Sequence, residues 1–117
     1  MVSVSTIPWW HWLPRLSWRI VATVEAADEV PELIPRNGAV LVASGDRLKW
    51  LAFDCPCRTG HRILVNLDAS RVPSWRVTNQ VSLTLKPSVD WRGRDRRCHY
   101  LIRRGRVVWV TNKRFVA

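Results

Sequence analysis

Residues 48–67, LKWLAFDCPCRTGHRILVNL, place two extended segments on either side of a pair of cysteines. The second segment alternates along the chain, a period of two residues that is typical of a β-strand. Its alternating positions are Ile63, Val65 and Leu67 against Arg62, Leu64 and Asn66. The first segment, residues 48–53, fits the same structure. Between them, Cys55-Pro56-Cys57 and the following Gly60 predict a tight knuckle that joins two strands.

The rest of the chain predicts further short strands, separated by proline and glycine. Their ranges are 18–24, 39–43, 75–78, 81–85, 98–102 and 107–110. Pro87 is predicted to end the strand before it, residues 91–97 to form an arginine-rich loop, and Gly105 to occupy a hairpin turn. No segment sustains the 3.6-residue period of a helix. We therefore predict a mainly β fold, a small single domain of short antiparallel strands with a Cys-Pro-Cys knuckle.

The chain has 117 residues, the size of one domain, and eight of them are tryptophan. Near the start, the cluster Trp9-Trp10-His11-Trp12 has neither a helical nor a strand period. We predict a Trp-rich N-terminal arm over residues 1–17 and a single β-rich domain over residues 18–117. Two interpretations of the arm stay open, since it either folds over this domain or docks a partner.

Positive charge is concentrated in the second part of the chain. Residues 1–54 carry 5 basic and 6 acidic residues, whereas residues 55–117 carry 14 basic and 3 acidic residues. The excess of arginine favours an acidic partner, which could be nucleic acid, an acidic protein surface or a carboxylate terminus. No apolar run approaches the roughly 20 residues of a membrane span, and the start lacks the features of a secretory signal. We expect a cytoplasmic protein without a membrane partner.

The three cysteines predict a metal site more readily than a disulfide, because their number is odd and no secretory signal precedes them. Zn²⁺ takes four tetrahedral ligands from Cys and His, and Cys55, Cys57, His61 and Cys98 would supply them. Such a zinc ion would be structural, holding the knuckle to the strand of Cys98. The alternative is that the cysteines are small buried apolar residues and that His61 only ends a strand.

Ser88 and His99 form a second candidate site. Ser88 follows Pro87 at a strand end, and His99 faces away from Cys98 because successive strand residues alternate. A serine nucleophile needs a neighbouring base, usually histidine, and Asp90, Asp68 or Asp54 could orient that histidine. Two alternatives stay open. Ser88 and His99 could be an ordinary turn residue and a packed strand residue, or Cys98 could be the nucleophile.

Several short blocks together resemble a small bacterial zinc-knuckle family. The blocks are Cys55-Pro56-Cys57, Gly60-His61-Arg62-Ile63, Pro73-x-Trp75-x-Val77-Thr78, Thr84-Leu85-x-Pro87-Ser88-Val89 and His99-Tyr100-x-Ile102-Arg103-x-Gly105-Arg106-Val107-x-Trp109. The resemblance covers about residues 20–110. Members of the family are encoded beside ubiquitin-like conjugation genes, in the bacterial ubiquitination-like (Bub) operons linked to antiphage defence.

The resemblance implies a zinc-knuckled β domain with a hydrolytic site, a deubiquitinase-like peptidase that matures a ubiquitin-like modifier or removes it from targets. Carried onto this chain, the motif positions are Cys55, Cys57, Ser88 as nucleophile and His99 as base. The chain departs from the family pattern at Thr59, where the family has a third knuckle cysteine, and at Arg96, where it has another. Cys98 would replace the cysteine that the family has at the position of Arg96.

The sequence is consistent with three functions. The preferred one is a hydrolase, a serine-type peptidase acting on the tail of a ubiquitin-like protein, whose acidic groups Arg103, Arg104 and Arg106 would bind. The second is a non-catalytic binding module for the modifier or its conjugating enzyme. The third is a basic nucleic-acid-binding domain, because a basic sheet with aromatic residues can track phosphates and stack bases.

Overall fold

Eight strands form two four-stranded sheets in the computed structural model, which describes residues 7–110. The first sheet contains β1 (Arg19–Val24), β2 (Gly38–Ser44), β3 (Arg47–Asp54) and β4 (Arg62–Asn66), in that order. The second contains β5 (Arg76–Thr78), β6 (Thr84–Arg92), β7 (Arg97–Arg103) and β8 (Arg106–Trp109), also in order. Two short 3₁₀ helices span Trp9–Trp12 and Ala27–Glu29. The mainly β fold predicted from the sequence is confirmed.

One core serves both sheets, because apolar side chains from β2, β3 and β4 share it with side chains from β6 and β7. Its most enclosed large members are Leu51, Phe53, Leu83, Leu85, Tyr100 and Ile102. The start of β1 also ties the sheets together through the backbone. The N–H of Trp18 donates to the Gly105 carbonyl and its carbonyl accepts from Leu83, each over 2.9 Å. Gly105 has φ +79°, as the predicted hairpin turn requires.

Strand pairing differs from the sequence prediction at β1. All neighbouring strands are antiparallel except β1 and β2, which run parallel. The chain crosses between them over residues 25–37, a connection long enough to return to the same end of the sheet. The tryptophan cluster also differs, since Trp9–Trp12 form a 3₁₀ helix although the sequence shows no helical period.

Pro87 does not end its strand, and the prediction that residues 91–97 form a loop is wrong at both ends. β6 continues through Pro87 to Arg92, and β7 begins at Arg97. The reason is a bulge. Leu85 pairs with Ile102 and Val89 pairs with Tyr100, so four steps along β6 match only two along β7. Proline has no N–H to donate, and a bulge is where a sheet tolerates that loss.

The segment before β1 is held by a buried arginine. Arg19 is 5% exposed, and its guanidinium donates to His11 Nδ1 at 3.0 Å and to the backbone carbonyl of His11. Further bonds go to the carbonyls of Ser17, Arg36 and Asn37. Residues 1–6 of the predicted arm and residues 111–117 of the predicted domain lie outside the described residues. No helix within residues 7–110 is long and apolar enough to cross a membrane.

We predict that His11 makes folding sensitive to acid. Burial and the neighbouring Arg19 charge lower the pKa of His11. Protonation of Nδ1 would also break the hydrogen bond that this nitrogen accepts from the guanidinium. The unfolded chain therefore binds a proton at higher pH than the folded one, and stability is present above about pH 6.5 and lost as pH falls. The free energy of unfolding, measured with denaturant at pH 7.5 and 5.5, should fall more for wild type than for His11→Gln. Equal losses in the two proteins would contradict this role.

Candidate active site and metal centre

Side chains of β7 alternate between the core and the more exposed opposite face of the strand. Cys98, Tyr100 and Ile102 are buried, at 2%, 0% and 0% exposure. His99 and Leu101 are half-buried and Arg103 is exposed. Since residues of one parity share a face of a strand, Cys98 and His99 face different surroundings although they are neighbours in sequence.

Ser88 lies next to His99 because the β6 bulge carries it there. Pro87 and Ser88 have no register partner on β7, so the serine is displaced from the ladder. Its Oγ lies 2.9 Å from His99 Nε2, a normal hydrogen-bonding distance. Trp75, directly before β5, supports the bulge, with its indole N–H donating to the Ser88 carbonyl over 3.2 Å. The arrangement places a hydroxyl and an imidazole in the geometry of a nucleophile and its base.

One carboxylate stands beside this pair. Asp90 is the register partner of His99 across β6 and β7, and both its oxygens accept from Arg97 over 2.8 Å. The hydrogen bonds from Arg97, aided by its charge and that of Arg92, lower the pKa of Asp90 to about 2. The carboxylate is therefore ionised, and its charge acts on the His99 ring. Of the other two acids considered from sequence, Asp54 accepts from Arg62 over 2.7 Å, and Asp68 accepts from the Ser70 hydroxyl over 2.7 Å.

Ser88 is one of the residues that line a groove of about 660 Å³. Apolar and basic residues line it, namely Leu67, Ala69, Ser74, Trp75, Arg76, Thr78, Leu85, Lys86, Pro87, Ser88, Leu101, Ile102 and Arg103. Of the three arginines considered for substrate binding, Arg103 lines this groove. Arg104 occupies the β7–β8 turn, and Arg106 lines a separate cavity of about 440 Å³ with Arg15 and Arg58. The structure therefore brings only Arg103 to the Ser88 groove.

The knuckle and β7 bring four potential metal ligands together. Cys55 and Cys57 lie in the β3–β4 connection, His61 directly precedes β4, and Cys98 reaches them from β7 in the other sheet. Their ligand atoms all lie within 4.8 Å of one another. Two backbone bonds shape the knuckle, from the Cys55 N–H to the His61 carbonyl over 3.1 Å and from the Arg58 N–H to the Cys55 carbonyl over 3.0 Å. The cluster joins the two sheets at the end of the core.

Proton affinities differ among the three thiols. Burial raises the pKa of Cys57, but hydrogen bonds from Thr59 and from the thiols of Cys55 and Cys98 outweigh it and bring the value to about 7. Burial and bonds to the other two thiols raise the pKa of Cys98 to about 12. Burial also raises the pKa of Cys55. Three thiols so close together cannot all ionise without a cation to offset their charge.

The cluster fits a tetrahedral cation in size and in surroundings. Four ligand atoms about 2.3 Å from a zinc ion lie about 3.8 Å apart in a tetrahedron. The Cys57 sulfur lies 3.7 Å from His61 Nε2. The hydroxyl of Tyr100 is buried near the Cys55 thiol without a hydrogen bond of normal geometry among the described residues. A cation-bound Cys55 thiolate would give that hydroxyl an acceptor, as groups around a metal centre commonly do.

The structure shows the surroundings of Thr59 and Arg96, the two positions at which the chain departs from the family pattern. Thr59, at the position of a third knuckle cysteine, places its hydroxyl 3.0 Å from Cys57 Sγ and 3.2 Å from His61 Nδ1. Arg96 directly precedes β7 and lies outside the strand that carries Cys98. Cys98 nevertheless belongs to the cluster, since it is the buried residue of β7 that faces the knuckle.

Three residues of this region have contacts with the site that the sequence does not predict. Trp91 stacks on His61 with ring centroids 3.7 Å apart and an interplanar angle of 13°, whereas Trp75 supports Ser88 and Lys86 lines the groove. Lys86 and Trp91 lie within three residues of Ser88, so their closeness in sequence could have indicated that they belong to the site. Trp75 reaches the site by pairing of the three-residue β5, which no sequence period indicates.

Comparison with known proteins identifies the family. Searches of curated proteins and of solved structures give no match. Residues 26–110, which contain the Ser88–His99 pair and all four members of the metal cluster, match the sequence model of a family described as bacterial ubiquitination-like system serine protease (BubE). The match covers most of the chain and agrees with the resemblance found in the sequence, and the chain therefore belongs to the BubE family.

Proposed function

We propose that the protein is a serine peptidase that processes or deconjugates a bacterial ubiquitin-like modifier. The observation that carries this proposal is the 2.9 Å contact between His99 Nε2 and the Oγ of Ser88, a residue that lines a groove. Membership of a family of ubiquitination-like system serine proteases supports both the chemistry and the pathway. Partners would be the modifier and the enzymes that conjugate it.

His99 would act first as a general base and then as a general acid. Nε2 takes the Ser88 proton while Oγ attacks the carbonyl carbon of the scissile bond, and the bond breaks as Nε2 returns the proton to the leaving amine. Water, deprotonated by the same nitrogen, then attacks the acyl carbon, and the bond to Ser88 Oγ breaks as Nε2 returns the proton to that oxygen, which releases the acid product and restores the serine. The ionised Asp90 across the strand pair would stabilise the imidazolium that forms in both steps.

The β5 edge offers a means of binding an extended tail. β5 is the outer strand of its sheet, so among the described strands its far edge has no neighbour. An extended chain can add to such an edge by main-chain hydrogen bonds, while the groove beside it accepts alternate side chains. A modifier tail bound in this way would lead toward Ser88, and Arg103 would contact its acidic groups.

We further propose that Cys55, Cys57, His61 and Cys98 hold a structural zinc ion. When bound, zinc would supply charge neutralisation for the thiolates and a cross-link between the knuckle and β7. The Ser88–His99 pair lies on the opposite face of β7, so the cluster would position the pair without touching the substrate.

Ser88→Ala should reduce kcat/KM for release of the modifier tail by at least about 10³-fold, since it removes the nucleophile. His99→Ala should have a comparable effect, because the hydroxyl loses its base. The assay is cleavage of the modifier encoded in the same operon, followed by mass spectrometry. Ser44→Ala, in the first sheet and away from the groove, is the matched control. Equal cleavage by wild type and Ser88→Ala would reject this site, and binding of the modifier without cleavage would favour a non-catalytic module.

Purified protein should contain one zinc per chain by elemental analysis. Cys57→Ala and Cys98→Ala should each lose it, whereas His99→Ala should keep it because that side chain lies on the other face of β7 and outside the cluster. Chelation should lower the free energy of unfolding by at least about 3 kcal/mol, since a tightly bound ion stabilises only the folded state. Protein that is free of metal yet equally stable would show that packing alone holds the knuckle.

A further inference from the structure

The groove beside Ser88 holds three cationic side chains and no acidic one. They are Arg76 on β5, Lys86 on β6 and Arg103 on β7. Within residues 7–110 none of the three side chains forms an ion pair or hydrogen bond, in contrast to Arg62 and Arg97. The sequence outside that range adds no aspartate or glutamate. The positive charge of the groove is therefore not neutralised by an acidic side chain of the chain itself.

The register of the strands keeps these cations close to one another. Arg76 is the direct partner of Lys86. Leu85 pairs with Ile102 in the antiparallel β6–β7 pair, so Lys86 and Arg103 are diagonal neighbours on one face, about 7–8 Å apart, within reach of long side chains. Like charges that face each other across a strand pair destabilise a sheet. The repulsion between these side chains therefore opposes folding. An anion bound between the cations would remove that repulsion.

We propose that the groove selects a peptide with an acidic side chain within about three residues of the scissile bond. Lys86 precedes Ser88 by two residues, and strand residues rise about 3.3 Å each, so an extended substrate would place a carboxylate beside Lys86 within that range. Arg76 and Arg103 supply planar guanidinium groups, which match a carboxylate in two-point hydrogen bonds. The apolar Leu101 between the cations and His99 would contact the neighbouring substrate residue. This inference rests on the proposed function.

A randomised peptide library tests the selection. Incubated with the full-length protein and analysed by mass spectrometry, cleaved peptides should be enriched in Asp and Glu at one position near the cut and depleted in Lys and Arg. For synthetic peptides that differ only there, kcat/KM should be about tenfold higher with Glu than with Gln. Cleavage that depends on Ser88 but shows no acidic preference would overturn the inference and leave the proposed function intact.

The double variant Arg76→Glu/Lys86→Glu should invert the preference toward Lys and Arg. The matched control is Arg47→Glu/Lys49→Glu on β3, which changes the net charge equally outside the groove and should keep the acidic preference. An unchanged preference in the first variant would place charge recognition elsewhere and contradict the proposal.

Binding separates this inference from a failure of catalysis. If wild type cleaves no peptide, or if Ser88→Ala cleaves as well as wild type, the proposed function fails. Fluorescence anisotropy would then compare labelled peptides of alternating Leu and Glu with peptides of alternating Leu and Gln. The Glu peptide should bind about tenfold more tightly to wild type, and the Arg76→Glu/Lys86→Glu variant should lose that difference. Equal affinities would overturn the inference whatever the catalytic result.

Discussion

Neighbouring side chains of a β-strand project to opposite faces, and on β7 this constraint separates a thiol from an imidazole. Cys98 enters the core and meets the knuckle, whereas His99 lies on the opposite face and meets Ser88. The same strand therefore carries part of the metal cluster on one side and part of the candidate hydrolytic pair on the other. A shift of β7 by one residue would exchange its two faces and destroy both sites. Both sites therefore depend on the same register of β7 with its neighbours.

β6 is held to the same cluster by an aromatic contact. Trp91 stacks on His61 three residues after Ser88, and Gly93 lies so close to the indole that an added Cβ would clash with it. Position 93 therefore has no room for a side chain while Trp91 keeps this orientation. The bulge that displaces Ser88 is fixed on one side by Trp75 and on the other by this stack, so the position of the hydroxyl depends on the knuckle.

The sequence predicts the parts of this molecule that depend on local pattern. The knuckle, its flanking strands, the Gly105 hairpin and the separation of Cys98 from His99 follow from a period of two and from turn residues. The bulge at Pro87 does not, because proline is as consistent with a strand end as with a bulge until the partner strand is known. The role of Trp75, the pairing of Arg76 with Lys86 and the assignment of Arg106 to another cavity depend on long-range register, which one sequence does not encode locally.

Thr59 stands beside the four potential metal ligands, at the position where the family pattern has a third knuckle cysteine. Its hydroxyl lies between Cys57 and His61, so it helps to lower the pKa of the Cys57 thiol and restrains the imidazole through Nδ1. With Nδ1 engaged, Nε2 is the ring nitrogen left for a cation. A third knuckle thiolate would add a charge beside three other thiols, and the hydroxyl avoids that repulsion. The threonine would thus favour His61 as the fourth ligand of a bound cation, and the stack with Trp91 restrains the ring.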